Sequence, residues 1–443
     1  MSLVALSSVI LLVGSMYSFR SSFNTYLNAS ILMYLVINFL SPIFSVGFSS
    51  KFDNLDEILT INLLCILIYR YFVKGIKLPV FSYIILASLI IGLLSSVLSK
   101  RNIIVSLEEL LLFLKGWTLG IILSTLKYEV ILLKKLILRI SKFISIIILL
   151  GSLFQQVIPG WASDFNVNSG SQVDSRWGII ALVSFYSHPG VLAQVSGLAG
   201  IVILTLHRSK KIDLLTFLAF TDVFICILTF RRRSIVALIL ILIVLMLLKT
   251  SINRLVLLSM FIPFVSIFLV RAYNFLSNAT SELTGAYLDL GMRQARTALY
   301  LVAPQVANDY FPLGSGLGTF GTYISSVHYS DIYVEYGLSS IWGLRPQQTF
   351  ITDTFWPAVL AELGWIGFSL FIASILVISR QQIKSYSLSW APEKDLFLCS
   401  FLVSIYLIID SVAAPTFLAA PIAPIFGIFA GLSYSVKNSI LKT

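Results

Sequence analysis

Long apolar runs dominate this chain and decide what it can fold into. Hydrophobic residues make up 58% of the 443 residues, and charged residues only 12%. A helix of about 20 apolar residues crosses the hydrocarbon core of a bilayer and satisfies its own backbone hydrogen bonds there. The runs therefore predict an all-α polytopic membrane protein with about 12–13 transmembrane helices. The predicted spans are 2–19, 30–48, 57–73, 78–98, 104–126, 137–158, 178–206, 212–230, 234–248, 255–270, 355–379, 395–411 and 416–435.

The loops between these spans differ in their content of lysine and arginine. The basic clusters lie at 127–142, 208–211, 249–254 and 380–394. Because short cytoplasmic loops carry an excess of Lys and Arg, these loops are predicted to be cytoplasmic in a bacterial inner membrane. Alternation then places 159–176 and 271–354 outside, with Lys100 and Arg101 as a misfit. This topology explains the formal net charge of +11, so no nucleic-acid partner is expected.

The spans and loops divide the chain into four parts. Residues 1–158 form the N-terminal transmembrane helices, and residues 159–270 form further helices with outward-facing arginines. Residues 271–354 form one large, partly helical extracytoplasmic loop near the C-terminus, and residues 355–443 form the last transmembrane helices. The first apolar run has no basic residue ahead of it and no small-residue cleavage site, so we expect it to be a retained helix.

The large loop, residues 271–354, contains no lysine, and its cations are all arginines: Arg271, Arg293, Arg296 and Arg345. Arginine presents a planar fork of donors that binds phosphate through two hydrogen bonds, whereas lysine offers a compact point charge. Carboxylates and aromatic residues accompany the arginines. This combination indicates a site for a phosphorylated, sugar-bearing lipid. The alternative is an ordinary extramembrane loop with surface arginines, and composition alone favours neither.

A helix is predicted at residues 281–300 within this loop. Ser281 can cap it, and Arg293, Arg296 and Tyr300 share one face of it at i, i+3 and i+7. We expect this face to present both arginines to the same ligand.

A glycine-rich run follows at residues 312–321. It lacks the preceding strand and the βαβ unit that a dinucleotide-binding fingerprint requires. The glycines are better explained as tight turns at the membrane surface, where backbone N–H groups can face an anion. Gly316 and Gly318 are therefore candidate substrate-binding residues.

Three consecutive arginines, Arg231, Arg232 and Arg233, stand between the eighth and ninth predicted spans. Alternation places them on the outer face, where positive charge should be scarce, and charges at membrane depth often mark function. A diphosphate is a suitable partner for adjacent guanidinium groups. The alternative is that they extend to lipid headgroups. The anion site is favoured because Arg176 lies on the same face.

Metal and disulfide chemistry find little support in the sequence. The cysteines all lie inside apolar spans without metal-ligand spacing: Cys65, Cys226 and Cys399. The histidines are few and scattered: His188, His207 and His328. We therefore expect no metal, no cofactor and no disulfide framework in the external loop.

Several short elements follow one another along the chain: Arg176-Trp-Gly, Ser187-His-Pro-Gly-Val-Leu-Ala193, Thr229-Phe-Arg-Arg-Arg-Ser234, Arg296 with an aromatic residue four positions on, Pro312-Leu-Gly-Ser-Gly-Leu-Gly-Thr-Phe320 and Ala361-Glu-Leu-Gly-Trp-Ile-Gly367. In this order they resemble the O-antigen ligase and polymerase superfamily of polytopic glycosyltransferases. The resemblance covers about 176–370, whereas 1–170 match only as a series of spans.

The resemblance implies a metal-independent, inverting glycosyl transfer at the extracytoplasmic membrane face. The donor would be a glycan on a polyprenyl diphosphate, and the acceptor a repeat unit on the same type of carrier. Arg232 and Arg296 would stabilise the leaving diphosphate. Supporting substrate-binding residues would be Arg176, Arg231, Arg233, Arg293 and His188.

Asp353 marks a departure from the ligase branch of that superfamily. In ligases a His-Asn pair stands nine residues before the glutamate of the Glu-x-Gly element, and in this chain that position is Asp353. A carboxylate can act there as general base toward a sugar hydroxyl, which resembles polymerases of the Wzy type. Two alternatives remain open. Asp353 caps a helix that starts at Phe355, and Arg296 pairs only with Asp289 or Glu282.

The predicted function is therefore a polysaccharide polymerase, with a chain-length regulator and a flippase of the same pathway as implied partners. A ligase that attaches polymer to a lipid A core remains an alternative, although it would usually carry the missing histidine. A flippase for lipid-linked oligosaccharides is a second alternative, and it would place charges within spans that line a cavity. Mid-span charges are few here, and Asp222 and Asp410 are the least easily dismissed.

Overall fold

The structure is a computed structural model. It describes residues 26–35, 55–127, 129–158, 160–161, 175–176, 179–186, 188–207, 213–248, 294–347, 349–390, 393–419 and 422–435. Within these ranges the chain is helical apart from loops, turns and one hairpin. In the hairpin β1 (Ser175–Arg176) runs antiparallel to β2 (Ile179–Ile180). The predicted all-α class is thus confirmed in outline, with this hairpin as the exception.

The helices follow one another along the chain, and the longer ones form the bundle. They are α1 Tyr26–Leu35, α2 Leu55–Phe72, α3 Val80–Leu98, α4 Ile103–Ser124, α5 Val130–Val157, α6 Pro189–Leu206, α7 Leu214–Leu228, α8 Arg232–Leu248, α9 Ala295–Asp309, α10 Tyr323–Val327, α11 Ile332–Glu335, α12 Trp356–Leu388, α13 Glu393–Asp410 and α14 Ile422–Ser435.

Among the described residues, five helices are long and apolar enough to cross a membrane. They are Val80–Leu98, Val130–Val157, Pro189–Leu206, Trp356–Leu388 and Glu393–Ala413. Three shorter apolar helices accompany them, namely α1, α7 and α14. The protein is therefore a multi-pass α-helical membrane protein. The side of the membrane on which each loop lies stays a prediction.

Some predicted span boundaries are wrong. The seventh span was predicted at 178–206, but α6 begins only at Pro189, because a proline at the first helical position and the cap residue before it fix the start. The span predicted at 137–158 is longer, since α5 begins at Val130. The spans predicted at 2–19 and 255–270 lie outside the described residues.

α12 is interrupted at Gly364, where φ is +64° and ψ is −177°. This left-handed region suits glycine, which has no Cβ. A Cβ at Gly364 would lie 2.5 Å from the Gly314 nitrogen. The break therefore lets the glycine-rich run of the large loop pack directly against the backbone of α12.

The two ends of the bundle carry different charged residues. At one end, here called the arginine end, the start of α8 meets the start of α6 and the end of α13, because Arg231 contacts His188 and Arg233 contacts Asp410. At the opposite end Lys134 Nζ lies 3.1 Å from Asp395 Oδ2, which joins the start of α5 to the start of α13. The two groups therefore lie at opposite ends of α13, and the side of the membrane that each end faces stays a prediction.

The misfit at Lys100 and Arg101 has a structural explanation. Arg101 Nη2 donates to Tyr310 Oη at 2.9 Å, and its guanidinium carbon lies 5.6 Å from the centre of the Tyr310 ring. Arg101 Nε also donates to the Ser315 carbonyl oxygen at 3.4 Å. Arg101 therefore holds the large loop onto the bundle, so its position reflects this contact and not the charge rule for short loops.

Lys115, in the middle of α4, is a buried charge with two carboxylate partners. Its Nζ lies 2.6 Å from Asp56 Oδ2 and 2.7 Å from Glu57 Oε1, both at the start of α2. Removing one partner of a buried ion pair costs about 3–5 kcal/mol, because the other charge stays desolvated. This network therefore ties α2 to α4.

The glycine-rich run is packed into the bundle. Leu317 N–H donates to Ser96 Oγ at 2.8 Å, and Ser106 Oγ donates to the Leu317 carbonyl oxygen at 3.1 Å. A Cβ at Gly316 would lie 2.8 Å from the Ser96 Cα, and one at Gly318 would lie 2.9 Å from a Val105 methyl carbon. The glycines thus allow close packing of the loop against α3 and α4.

The backbone amides of this run are directed at a side chain of the protein itself. The N–H groups of Thr319 and Phe320 donate to Glu362 Oε1 at 2.8 Å and 2.9 Å. Glu362 is fully buried in α12. The group that these amides bind is therefore an internal carboxyl group, whereas Gly316 and Gly318 were expected to help face a substrate anion.

Labelling of introduced cysteines tests the predicted topology. Ser340 lies exposed in the large loop and Ser387 lies exposed near the end of α12. In a Cys65→Ser background, Ser340→Cys should react with an impermeant thiol reagent from outside intact cells, and Ser387→Cys only after permeabilisation. The remaining Cys226 and Cys399 are buried and serve as the internal control. Labelling of position 387 from outside would overturn the orientation.

Candidate functional site

His188 lies at the centre of the arginine end. It precedes Pro189 and caps α6, and its Nδ1 accepts a hydrogen bond from the Gly190 N–H at 3.0 Å. Such a cap satisfies one of the free N–H groups of the first helical turn. The positive end of the α6 dipole therefore lies under the histidine ring.

Arg231 faces the other side of this ring, with its Nη2 3.4 Å from His188 Nε2. A neutral imidazole has one lone pair for hydrogen bonding and one N–H group. Two donors, the Gly190 N–H and the Arg231 guanidinium, nevertheless point at its two nitrogens. Both nitrogens of the ring therefore have a hydrogen-bond donor beside them.

The electrostatics of His188 agree with this geometry. The pKa of His188 is lowered to about 3, mainly because the surrounding protein desolvates the ring and then because of the charges of Arg231, Arg233 and Arg296. His188 is not enclosed, since part of its surface is accessible to solvent. The desolvation of the ring therefore comes from the protein packed around it. At neutral pH the ring is therefore an uncharged donor among three guanidinium groups. We refer to His188, Arg231, Arg233 and Arg296 as the donor cluster.

Arg233 approaches the cluster from the first turn of α8. Its Nε lies 3.3 Å from Asp410 Oδ1, close enough for an ion pair but without the alignment of a hydrogen bond. A Cβ at Gly190 would lie 3.1 Å from Arg233 Nη2, so the guanidinium reaches the first turn of α6. Arg233 is thus held between a buried carboxylate and a helix N-terminus.

Arg296 and Asp353 form a pair at the boundary of the large loop. Arg296 Nε and Nη2 both donate to Asp353 Oδ2, at 3.1 Å and 2.7 Å. The side chains remain 49% and 27% exposed, so the pair is accessible to a ligand. Both hydrogen bonds end on Oδ2, which leaves the second carboxylate oxygen, Oδ1, outside the pair.

Two alternatives for these residues can now be compared with the structure. α12 begins at Trp356 after Phe355, and no side chain caps that start. Asp353 therefore does not have the capping role. Arg296 pairs with Asp353, whereas Glu282 and Asp289 lie outside the residues that the structure describes.

Some of the predicted site residues lie together at the arginine end of the bundle. Arg231, Arg233, Arg296 and His188 come together, with Asp353 attached through Arg296. Arg232, predicted as the principal member of the triplet, is exposed, while Arg231 and Arg233 are half-buried.

The four remaining predicted site residues are Arg176, Arg293, Gly316 and Gly318. Arg176 belongs to β1, and the structure does not describe its side chain. Arg293 lies outside the described residues, and Gly316 and Gly318 pack against α3 and α4.

The segment after α13 was not predicted as part of the site. Asp410 contacts Arg233, and Tyr300 Oη, one turn after Arg296, donates to the Val412 carbonyl oxygen at 2.6 Å. The only signal for it in the sequence was a carboxylate inside an apolar run, which is costly unless partnered. The partner itself could not be identified without the packing of α8 against α13.

No protein-family model matches this chain, and no curated protein matches it significantly. The resemblance to the O-antigen ligase and polymerase superfamily therefore stays a prediction. Function is therefore inferred from the donor cluster and from the Arg296–Asp353 pair.

Proposed function

We propose that the protein is a polysaccharide polymerase that uses polyprenyl-diphosphate-linked substrates at the extracytoplasmic membrane face. The observation that carries the proposal is the convergence of Arg231, Arg233, Arg296 and His188 at one end of the bundle. Guanidinium forks, a neutral imidazole donor and a helix N-terminus together suit a diphosphate. A membrane-embedded bundle suits a carrier whose other end is a long apolar chain.

The donor cluster would stabilise the leaving group of the transfer. As the bond between the anomeric carbon and the diphosphate oxygen breaks, negative charge develops on the diphosphate. Donors held in place before the reaction stabilise such charge without reorganising, and removing one typically costs about 10²–10³-fold in rate. Arg231 and Arg233 are oriented by His188 and Asp410, so they meet this requirement better than Arg232 does.

Asp353 is the proposed general base. The acceptor hydroxyl oxygen attacks the anomeric carbon, the diphosphate leaves with the electron pair of the broken bond, and the hydroxyl proton passes to Asp353 Oδ1. Arg296 orients the carboxylate through Oδ2. Its third nitrogen, Nη1, is not part of this pair and can face a phosphate oxygen. Arg296 would thus connect the base to the leaving group, and a single displacement inverts the anomeric configuration.

A ligase reaction would use the same donor cluster with a different acceptor. The presence of a carboxylate in place of the ligase histidine is the feature that favours the polymerase. A flippase is less well supported, because the mid-span Lys115 in α4 is paired with Asp56 and Glu57.

The glycan made by a deletion strain separates these functions. Loss of a polymerase should leave single repeat units attached to the final acceptor, and the wild-type gene should restore the polymer. Accumulated lipid-linked polymer with none attached would instead identify a ligase. Repeat units trapped on the cytoplasmic face would identify a flippase. Purified protein supplied with lipid-linked repeat units should extend them without any added metal.

A further inference from the structure

Asp410, a residue to which no role was assigned from the sequence, lies fully buried at the end of α13. Its Oδ1 accepts a hydrogen bond from Ser234 Oγ at 2.5 Å. Its Oδ2 accepts from Gln194 Nε2 and, at 3.2 Å, from Thr416 Oγ1. Donors from α6, α8 and the segment after α13 therefore converge on one carboxylate. These hydrogen bonds would compensate the desolvation of its negative charge.

The neutral donors leave one side of this carboxylate to Arg233. Arg233 Nε lies 3.3 Å from Oδ1, while Nη2 points toward the first turn of α6. An arginine so placed is attracted at its Nε edge, while its Nη2 stays near Gly190 and the His188 ring. The contact with Asp410 therefore determines which nitrogen atoms of the Arg233 guanidinium can face a ligand.

The same segment also contacts the helix that carries Arg296. Tyr300 Oη donates to the Val412 carbonyl oxygen, two residues after Asp410. Tyr300 lies four residues after Arg296, so the two residues share a face of α9. The short segment from 410 to 412 thus links Arg233 of the membrane bundle to Arg296 of the large loop.

We infer that Asp410 is a positioning residue, which acts through Arg233 to set the diphosphate-binding geometry of the donor cluster. This inference rests on the proposed diphosphate site. It would hold for any enzyme that binds a polyprenyl diphosphate there, whether polymerase or ligase. The competing explanation is that Asp410 only stabilises the packing of α6, α8 and α13.

A double-mutant cycle on ligand affinity distinguishes the two explanations. The probe is farnesyl diphosphate, and binding is measured by calorimetry with the full chain in lipid nanodiscs. Asp410→Asn should weaken binding about 10-fold or more, by analogy with the loss of groups that orient metal ligands. In an Arg233→Met background the same change should have no further effect, because the residue through which it acts is gone.

Asp222→Asn is the matched control. Asp222 is also fully buried and also accepts from a serine, Ser145 Oγ at 2.5 Å, but it lies in the middle of α7. Its loss should lower thermal stability and leave farnesyl diphosphate affinity within about twofold. Asp410→Glu provides a second variant that keeps the charge. By moving the carboxylate one methylene group further out, it should weaken binding in the wild-type background only.

The outcomes separate this inference from the proposed function. Multiplicative effects of Asp410→Asn and Arg233→Met, or unchanged affinity in both Asp410 variants, would overturn the positioning role. Wild-type protein that does not bind farnesyl diphosphate would overturn it as well. Wild-type protein that binds the probe in an Asp410-dependent way but forms no polymer would support the inference and refute the polymerase.

Discussion

Arg231→Lys and Arg233→Lys should each reduce polymer synthesis by about 10²–10³-fold, which is the range seen when one preorganised donor to a developing charge is lost. Lysine keeps the positive charge but loses the planar fork. At position 231 it cannot maintain the geometry beside His188 Nε2, and at position 233 it cannot face Asp410 and α6 together. The effect should fall on the rate with saturating substrate as well as on affinity.

Arg232→Lys is the built-in control for these variants. Arg232 has the same local sequence and the same helix start, but it is exposed. It should retain activity within a few-fold, although the sequence alone favoured it as the catalytic member of the triplet. Radiolabelled polymer from purified variants at matched protein levels would be compared. If Arg232→Lys lost most activity while the other two stayed active, the proposed donor cluster would be wrong.

Asp353→Asn should slow polymerisation by about 10²–10⁴-fold while the protein remains folded, because general-base catalysis contributes about that much. Asparagine keeps the size of the side chain, and its carbonyl oxygen can still accept from Arg296. It cannot take the acceptor proton. Donor binding should change little, since Arg231, Arg233 and His188 are intact.

Asp331→Asn serves as the comparison for position 353. Asp331 is an exposed carboxylate in the same loop, and it makes no side-chain cap to α11, which it precedes. That variant should polymerise at the wild-type rate. Rates would be taken from a time course with lipid-linked repeat units, and binding of farnesyl diphosphate would be measured in parallel. An Asp353→Asn protein as fast as wild type would exclude the proposed base.

Local sequence patterns were sufficient for the helical spans, because hydropathy and helix length act within one segment. The spans 78–98 and 234–248 were predicted to within a few residues of α3 and α8. The start of α6 was missed, since residues 179–183 are as apolar as a span. Only the hairpin and the cap at His188 show that these residues are not helical.

The Arg296–Asp353 pair shows what sequence spacing can and cannot reveal. Each residue was predicted as functional from its own stretch of sequence. Arg296 was predicted from its place on one face of the helix expected at 281–300, and Asp353 from its spacing of nine residues before Glu362. Their contact joins positions 57 residues apart, and no local pattern encodes it. The glycine-rich run was predicted to face a substrate anion, and its actual partner could not be identified from the sequence for a similar reason. Its backbone amides bind a carboxyl group of the protein itself, that of Glu362 in α12.

The sequence by itself determined that this protein is a bundle of membrane helices, that lysine is absent from residues 271–354, and that arginines would concentrate near residues 231–233 and 296. These properties follow from composition along the chain and from the energetics of burying charge in lipid. Only the tertiary structure decided which arginines face inward. The direction of a side chain at a helix start depends on its partners, here Asp410 and His188, and those partners come from distant helices.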